Sequence, residues 1–168
     1  MSTSLNLSVK LPKRLRAIAE LVPCGSRVCD VGTDHGLLPV WLVINGVCPT
    51  AIAADVSRKC LEKARLFAEH CGVSDRVRVR LSDGLQDIQA SEWDTLVVAG
   101  MGGETIAQIL EPLQREPQNP LQHKTLILQP NTKQLELLRF LQASGYAVEQ
   151  EVLVRDRRRD YYIVAASA

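Results

Sequence analysis

Five short apolar runs in this chain stop at a glycine, an acid or an amide, and segments of helical periodicity separate most of them. The first, Arg27-Val28-Cys29-Asp30-Val31, leads into Gly32-Thr33-Asp34-His35-Gly36. The second, residues 50–54, ends at Asp55, and the third, in which Val77, Val79 and Leu81 alternate with arginines, ends at Ser82-Asp83-Gly84. The fourth, Thr95-Leu96-Val97-Val98-Ala99, runs into Gly100-Met101-Gly102-Gly103, and the fifth, Thr125 to Gln129, into an expected turn at Pro130-Asn131. Compact aliphatic and β-branched runs of this length read as buried strands, and their alternation with helices implies a parallel sheet covered on both faces.

The intervening segments fit that pattern. Leu11, Leu15, Ile18 and Val22 recur at helical spacing behind Pro12, giving an amphipathic helix within residues 10–22. A second helix runs to Asn45, with Pro39 in the first turn, where a missing amide hydrogen costs little. Ser57 is a candidate cap for a third helix ending at His70. A fourth helix runs through Leu110, a loop holding Pro112, Pro117 and Pro120 covers residues 111–124, and a fifth helix spans Thr132 to Ser144. The end differs: Tyr146 to Val154 and Tyr161 to Ala165 are strand-like runs joined only by the charged residues 155–160. So short a link permits a hairpin and forbids a parallel crossover. The expected architecture is α/β and doubly wound, a seven-stranded, mostly parallel sheet with one antiparallel strand, closed by a hairpin at 146–166.

With 168 residues, 46% of them hydrophobic, the chain can bury one core, so 1–168 is expected to be a single domain. Its 20 basic and 19 acidic side chains leave a net charge of +1, so any polyanion site must be a local patch. The five cysteines show neither a CxxC pair nor zinc-finger spacing and read as reduced thiols; no metal is expected. The N-terminus lacks the apolar stretch of a signal peptide, and the longest apolar run, residues 37–44, is too short to span a bilayer. A cytoplasmic protein with no membrane partner is expected.

In a doubly wound sheet the ligand lies beyond the carboxyl ends of the strands, where the special residues of this chain fall. The first turn does not fit GxGxxG, because Asp34 occupies the third position. A pyrophosphate there would meet Asp30 and Asp34, and like charges about 4 Å apart cost roughly 4 kcal/mol at an effective dielectric near 20. S-adenosylmethionine presents a sulfonium and an ammonium instead, which the same carboxylates attract. Asp55 has the position of a ribose-hydroxyl acceptor, and Asp83 that of an acceptor for the adenine amino group. Each acid alone reads more often as a helix cap or turn former; their joint occurrence at three successive strand ends favours a site. Gly100 to Gly103 allow close backbone approach or simply make a tight turn. The expected cofactor-binding set is Asp30, Gly32, Thr33, Asp34, Gly36, Asp55, Val56, Asp83, Gly84, Gly100, Met101 and Gly102.

The strings DVGTDHGLLP (30–39), SDGL (82–85), DTLVVAGMGG (94–103) and LILQPN (126–131), with the acid at Asp55, resemble the bacterial TrmK family of tRNA adenine-N1 methyltransferases acting at position 22. The likeness extends from Lys10 to Val164. It implies a Rossmann-like class I methyltransferase core, S-adenosylmethionine as donor, and N1 of a tRNA adenine as acceptor. It assigns Asp30, Gly32, Asp34, Asp55 and Asp83 to the cofactor and Gly100 to Gly103 to the cofactor–substrate interface. Family members usually continue into a C-terminal helical extension, which the likeness does not reach; a protein partner in its place is an accompanying expectation.

Adenine N1 has an in-plane lone pair, so methylation needs alignment more than a strong base. The product ring is cationic, and Asp34, with His35 second, is the candidate for stabilising that charge or taking the proton; His35 is equally readable as a helix-start residue bonded to backbone. Gly103, Gln129, Pro130 and Asn131 are expected on the substrate side. Lys10, Lys13, Arg14 and Arg16, with Arg155, Arg157, Arg158 and Arg159, form two basic clusters: solvated faces, or a rim contacting RNA phosphates. The alternatives are a small-molecule methyltransferase on the same core, or a non-catalytic module binding S-adenosylmethionine or RNA.

Overall fold

The computed structural model describes residues 9–114 and 123–167. The sequence-based statements about the N-terminal residues 1–8, and about Pro117 and Pro120, lie outside the described residues. Within them the sheet has seven strands: β1 (Val28–Val31), β2 (Ala51–Asp55), β3 (Val77–Leu81), β4 (Thr95–Gly102), β5 (Thr125–Thr132), β6 (Ala147–Asp156) and β7 (Arg159–Ser167). Their order is β3-β2-β1-β4-β5-β7-β6. The first five pair in parallel, and β7 is antiparallel to both β5 and β6, so one reversed strand closes the sheet.

Alternation along the strands splits the core in two. Val28, Ala53, Val97, Ile127 and Ile163 face α1 (Lys13–Leu21), α2 (Leu37–Ile44) and α3 (Arg58–His70). Cys29, Val31, Leu96, Val98, Leu126 and Leu128 face α4 (Gly103–Gln114), α5 (Gln134–Ala143) and fully buried Trp93. Ser57 caps α3 as expected, accepting from the backbone N–H of Cys60 at 3.3 Å.

Several boundaries differ from the sequence reading. Met101 and Gly102 continue β4, and Pro130 and Asn131 continue β5, rather than forming turns: Met101 pairs with Pro130 and Gly102 with Thr132 across bulges. Proline is tolerated at such an irregularity because no regular ladder hydrogen bond is required of it. The helix expected to stop at Leu110 extends to Gln114 with Pro112 inside its last turns. The link between the last two strands narrows to Arg157-Arg158, with Arg157 in the left-handed region at φ 58°. Cys29 and Cys48 are buried, and burial raises both thiol pKa values, Cys48 to about 11.

Candidate active site

The carboxyl ends of β1 to β4 open onto a cavity of about 1060 Å³. Its wall includes Val31, Gly32, Asp55, Val56, Asp83, Gly84, Leu85, Ile88, Met101 and Ile109. Asp55 is held from both sides: one oxygen accepts from the Ser57 backbone N–H at 2.8 Å, the other from the Asp34 backbone N–H at 3.3 Å. These bonds leave lone pairs on both oxygens for hydroxyl donors. Gly32 and Thr33 donate their backbone N–H groups to the Ala54 carbonyl, tying the first turn to β2.

Two glycines here are favoured by their left-handed backbone, and one of them, Gly36, by space as well. A Cβ on Gly36, which has φ 70°, would lie 2.8 Å from the Cβ of Ala64, so α2 and α3 approach across it. A Cβ on Gly32 (φ 77°) would lie 2.3 Å from the terminal methyl of Met101, which crosses the gap between β1 and β4 at the cavity.

Asp30 is buried and points by strand alternation to the α1 face, outside the cavity wall. Burial raises its pKa to about 6, against a lowering influence from the Arg14 charge. Thr33 is buried beside it; its hydroxyl also lowers that pKa but is outside hydrogen-bonding geometry. Asp34, at φ 56°, stands exposed at the rim, and one of its oxygens is 3.3 Å from Nδ1 of His35. Nε2 of His35 is in turn 2.9 Å from the Lys63 ammonium, a contact the sequence did not signal.

The substrate-side residues separate. Gly103 faces inward: a Cβ there would lie 2.1 Å from the Lys133 carbonyl oxygen, so it serves the contact between two helix starts. Gln129 is fully buried, and Pro130 is buried as well. Gln129 accepts from Nη1 of Arg14 at 2.7 Å and donates to Oδ1 of Asn131 at 3.1 Å, and Asn131 donates to the Gly100 carbonyl at 2.8 Å. Lys10, Lys13 and Arg16 are exposed on and before α1, whereas Arg14 is half-buried. The backbone N–H of Arg14 reaches Asp156 at 3.4 Å, and Arg14 shares the Tyr161 ring with Arg159. The two basic clusters, some 140 residues apart in sequence, therefore adjoin at the β5 end of the strand-end face. Among the described residues no three His, Cys, Asp or Glu side chains are placed to hold a metal, and no helix is long and apolar enough to cross a membrane.

A strand-end cavity lined by Asp55 at the end of β2 and Asp83 just beyond β3, on a sheet closed by one reversed strand, has the form of a Rossmann-like methyltransferase domain. The Methyltransferase domain family matches residues 11–164. The chain is 35% identical to the tRNA (adenine(22)-N(1))-methyltransferase of Bacillus subtilis over 95% of its own length, and spans 66% of that protein. It superposes on the crystal structure of the B. subtilis M1A22 tRNA methyltransferase TrmK with a TM-score of 0.89 and 34% identity, covering 96% of this chain and 68% of that one. A complex of the Streptococcus pneumoniae putative tRNA (m1A22) methyltransferase with S-adenosyl-L-methionine gives 0.87 and 33%, covering 95% and 73%. The chain belongs to the TrmK family.

Proposed function

We propose that this chain transfers a methyl group from S-adenosylmethionine to N1 of an adenine in tRNA, at the position-22 site that its relatives' names specify. The observation that carries the reading is the cavity at the ends of β1 to β4, with Asp55 in its wall fixed by two backbone donors. Its features suit the cofactor. The apolar wall of Val56, Leu85, Ile88 and Ile109 matches a nucleoside face, Asp55 can accept from ribose hydroxyls, and the Asp30 carboxylate attracts a cation.

Bound there, S-adenosylmethionine supplies an electrophilic methyl group. The chain's own work is alignment and charge. Asp55 and Asp83 hold the nucleoside half from the β2 and β3 side. The Gly100–Gly102 backbone keeps the acceptor side of the opening narrow. Asp34 faces the charge that develops on the methylated ring, with His35 oriented beside it. Lys10, Lys13, Arg16, Arg157 and Arg158 are exposed and make no ion pair among the described residues, so they are free to meet phosphates along one flank.

The test is incubation with labelled S-adenosylmethionine and unmodified tRNA transcripts, followed by digestion to nucleosides. Label is expected as 1-methyladenosine, from A22-bearing transcripts and not from those with A22 replaced. Asp34→Ala is expected to retain cofactor and to lose turnover by roughly 100-fold or more. Replacing Lys13 or Arg158 should lower the salt slope of RNA binding by about one for each phosphate no longer neutralised. Bound cofactor with no labelled nucleoside from any transcript overturns the reading.

A further inference from the structure

Arg14 does not behave like the lysines and arginines around it. Lys13 and Arg16 lie in solvent, while the Arg14 guanidinium turns into the fold, onto buried Gln129, and would pass 3.7 Å from a Cβ on Gly100. Two contacts hold the guanidinium, Gln129 of β5 and the ring of Tyr161 on β7 with centroid 5.5 Å away, and Asp156 of β6 accepts from the residue's backbone N–H. A phosphate-gripping arginine needs its whole fork free, and this one gives Nη1 to a buried amide.

The chemistry of its partners gives the engagement a direction. Guanidinium only donates, whereas a side-chain amide both donates and accepts and can flip. Because Arg14 occupies the Gln129 oxygen, the Gln129 nitrogen must face Asn131. The Asn131 oxygen must then face Gln129, and its nitrogen must donate to the Gly100 carbonyl. One cation therefore sets the orientation of two amides in series and ends on the backbone of the β4 bulge, beside Met101 of the cavity wall.

We infer that Arg14 is a positioning residue: through Gln129 and Asn131 it fixes the donor–acceptor pattern and the Gly100 backbone at the acceptor side of the site. It aligns the target base rather than binding the RNA backbone. The inference rests on the methyltransferase reading for its kinetic consequence and on the hydrogen-bond chain alone for its structural one.

Two sets of measurements test it. With tRNA, Arg14→Met and Gln129→Leu should each lower kcat by roughly 10- to 100-fold, the scale of a small misalignment, with KM for tRNA little changed. The double variant should be no worse than either single one, because both break one chain. Arg14→Lys, still a donor without an acceptor, should recover part of kcat, and Arg14→Met should leave the salt slope as it was, unlike Lys13→Met. Independently of turnover, the side-chain amide NMR signals of both Gln129 and Asn131 should move in Arg14→Met and stay in place in Lys13→Met. If Arg14→Met does not fold, Asn131→Leu breaks the chain at its exposed end and is expected to show the same kcat loss. A raised KM with a salt slope reduced by about one, and Gln129→Leu neutral, would make Arg14 a phosphate contact and overturn the inference. Amide signals unmoved in Arg14→Met would overturn it as well. No methyl transfer by the wild-type chain, with the amide signals moved, would count against the proposed function and leave Arg14's orienting role standing.

Discussion

The two halves of the strand-end face carry opposite charge. At the ends of β1, β2 and β3 stand Asp30, Asp34, Asp55 and Asp83, of which Asp55 and Asp83 line the open cavity. Beyond β4 the face belongs to Arg14 and the basic residues of α1 and the β6–β7 hairpin. A net charge of +1 conceals this division. The acidic half suits a small cation that must be enclosed, and the basic half suits a large polyanion that must be laid alongside. The reacting atoms would meet at the seam, where β1 and β4 are neighbours.

Asp55→Ala should break this division most severely. It releases the Asp34 and Ser57 backbone donors and, on the proposed function, removes an acceptor for ribose hydroxyls, so cofactor affinity by calorimetry should fall between roughly 100- and 1000-fold. RNA binding without cofactor should hold. Equal loss of both would mean that the halves are not separate.

Asp30 sharpens the division through pH. Its folded pKa is raised from an ordinary 3.8 to about 6 by burial, so between these values the unfolded chain has released a proton that the folded one keeps. The folded state therefore loses up to about 3 kcal/mol from this group as pH rises from about 4 to about 6, and the loss persists above. Cofactor binding runs the other way: a cation needs the carboxylate, so affinity should weaken by about tenfold per pH unit below 6. Asp30→Asn should stabilise the empty protein at pH 7 in chemical denaturation while weakening cofactor binding. Unchanged binding in that variant would remove Asp30 from the acidic half.

The smallest effect is expected at the opposite end of the strands, where Arg27 and Asp94 pair at 2.7 Å, both about two-fifths exposed. The Arg27 side-chain hydrogen bond lowers the Asp94 pKa to about 2, so its contribution is present above about pH 4 and lost as pH falls through about 2. Arg27→Ala should cost about 1 kcal/mol or less in stability, given solvent screening, and should change neither cofactor nor RNA affinity. A binding change there would show that the division by charge is not local to the strand ends.

The strand ends are legible in the sequence because a parallel strand is a short apolar run with an abrupt stop, and the residue at the stop is where chemistry can be placed. The reversed last strand is legible from a link too short to cross over. The junctions after β4 and β5 are not, because Gly-Met-Gly-Gly and Gln-Pro-Asn carry turn composition, while their pairing across bulges depends on each other. Arg14 falls in with its basic neighbours in the sequence because spacing along one helix gives its direction only approximately. Its partners, Gln129, Asp156 and Tyr161, lie more than a hundred residues away, so only the assembled sheet reveals the contact.

The inward glycine at position 103 has a mechanical consequence. With the Lys133 carbonyl 2.1 Å from where its Cβ would be, and Leu137 close behind, the first turns of α4 and α5 are seated against each other at a position that only glycine can occupy. A tilt of one presses on the backbone of the other. An opening that admits a target base on this reading is expected from the β1–β3 side or from the incoming nucleic acid, with this edge as an anvil rather than a jaw.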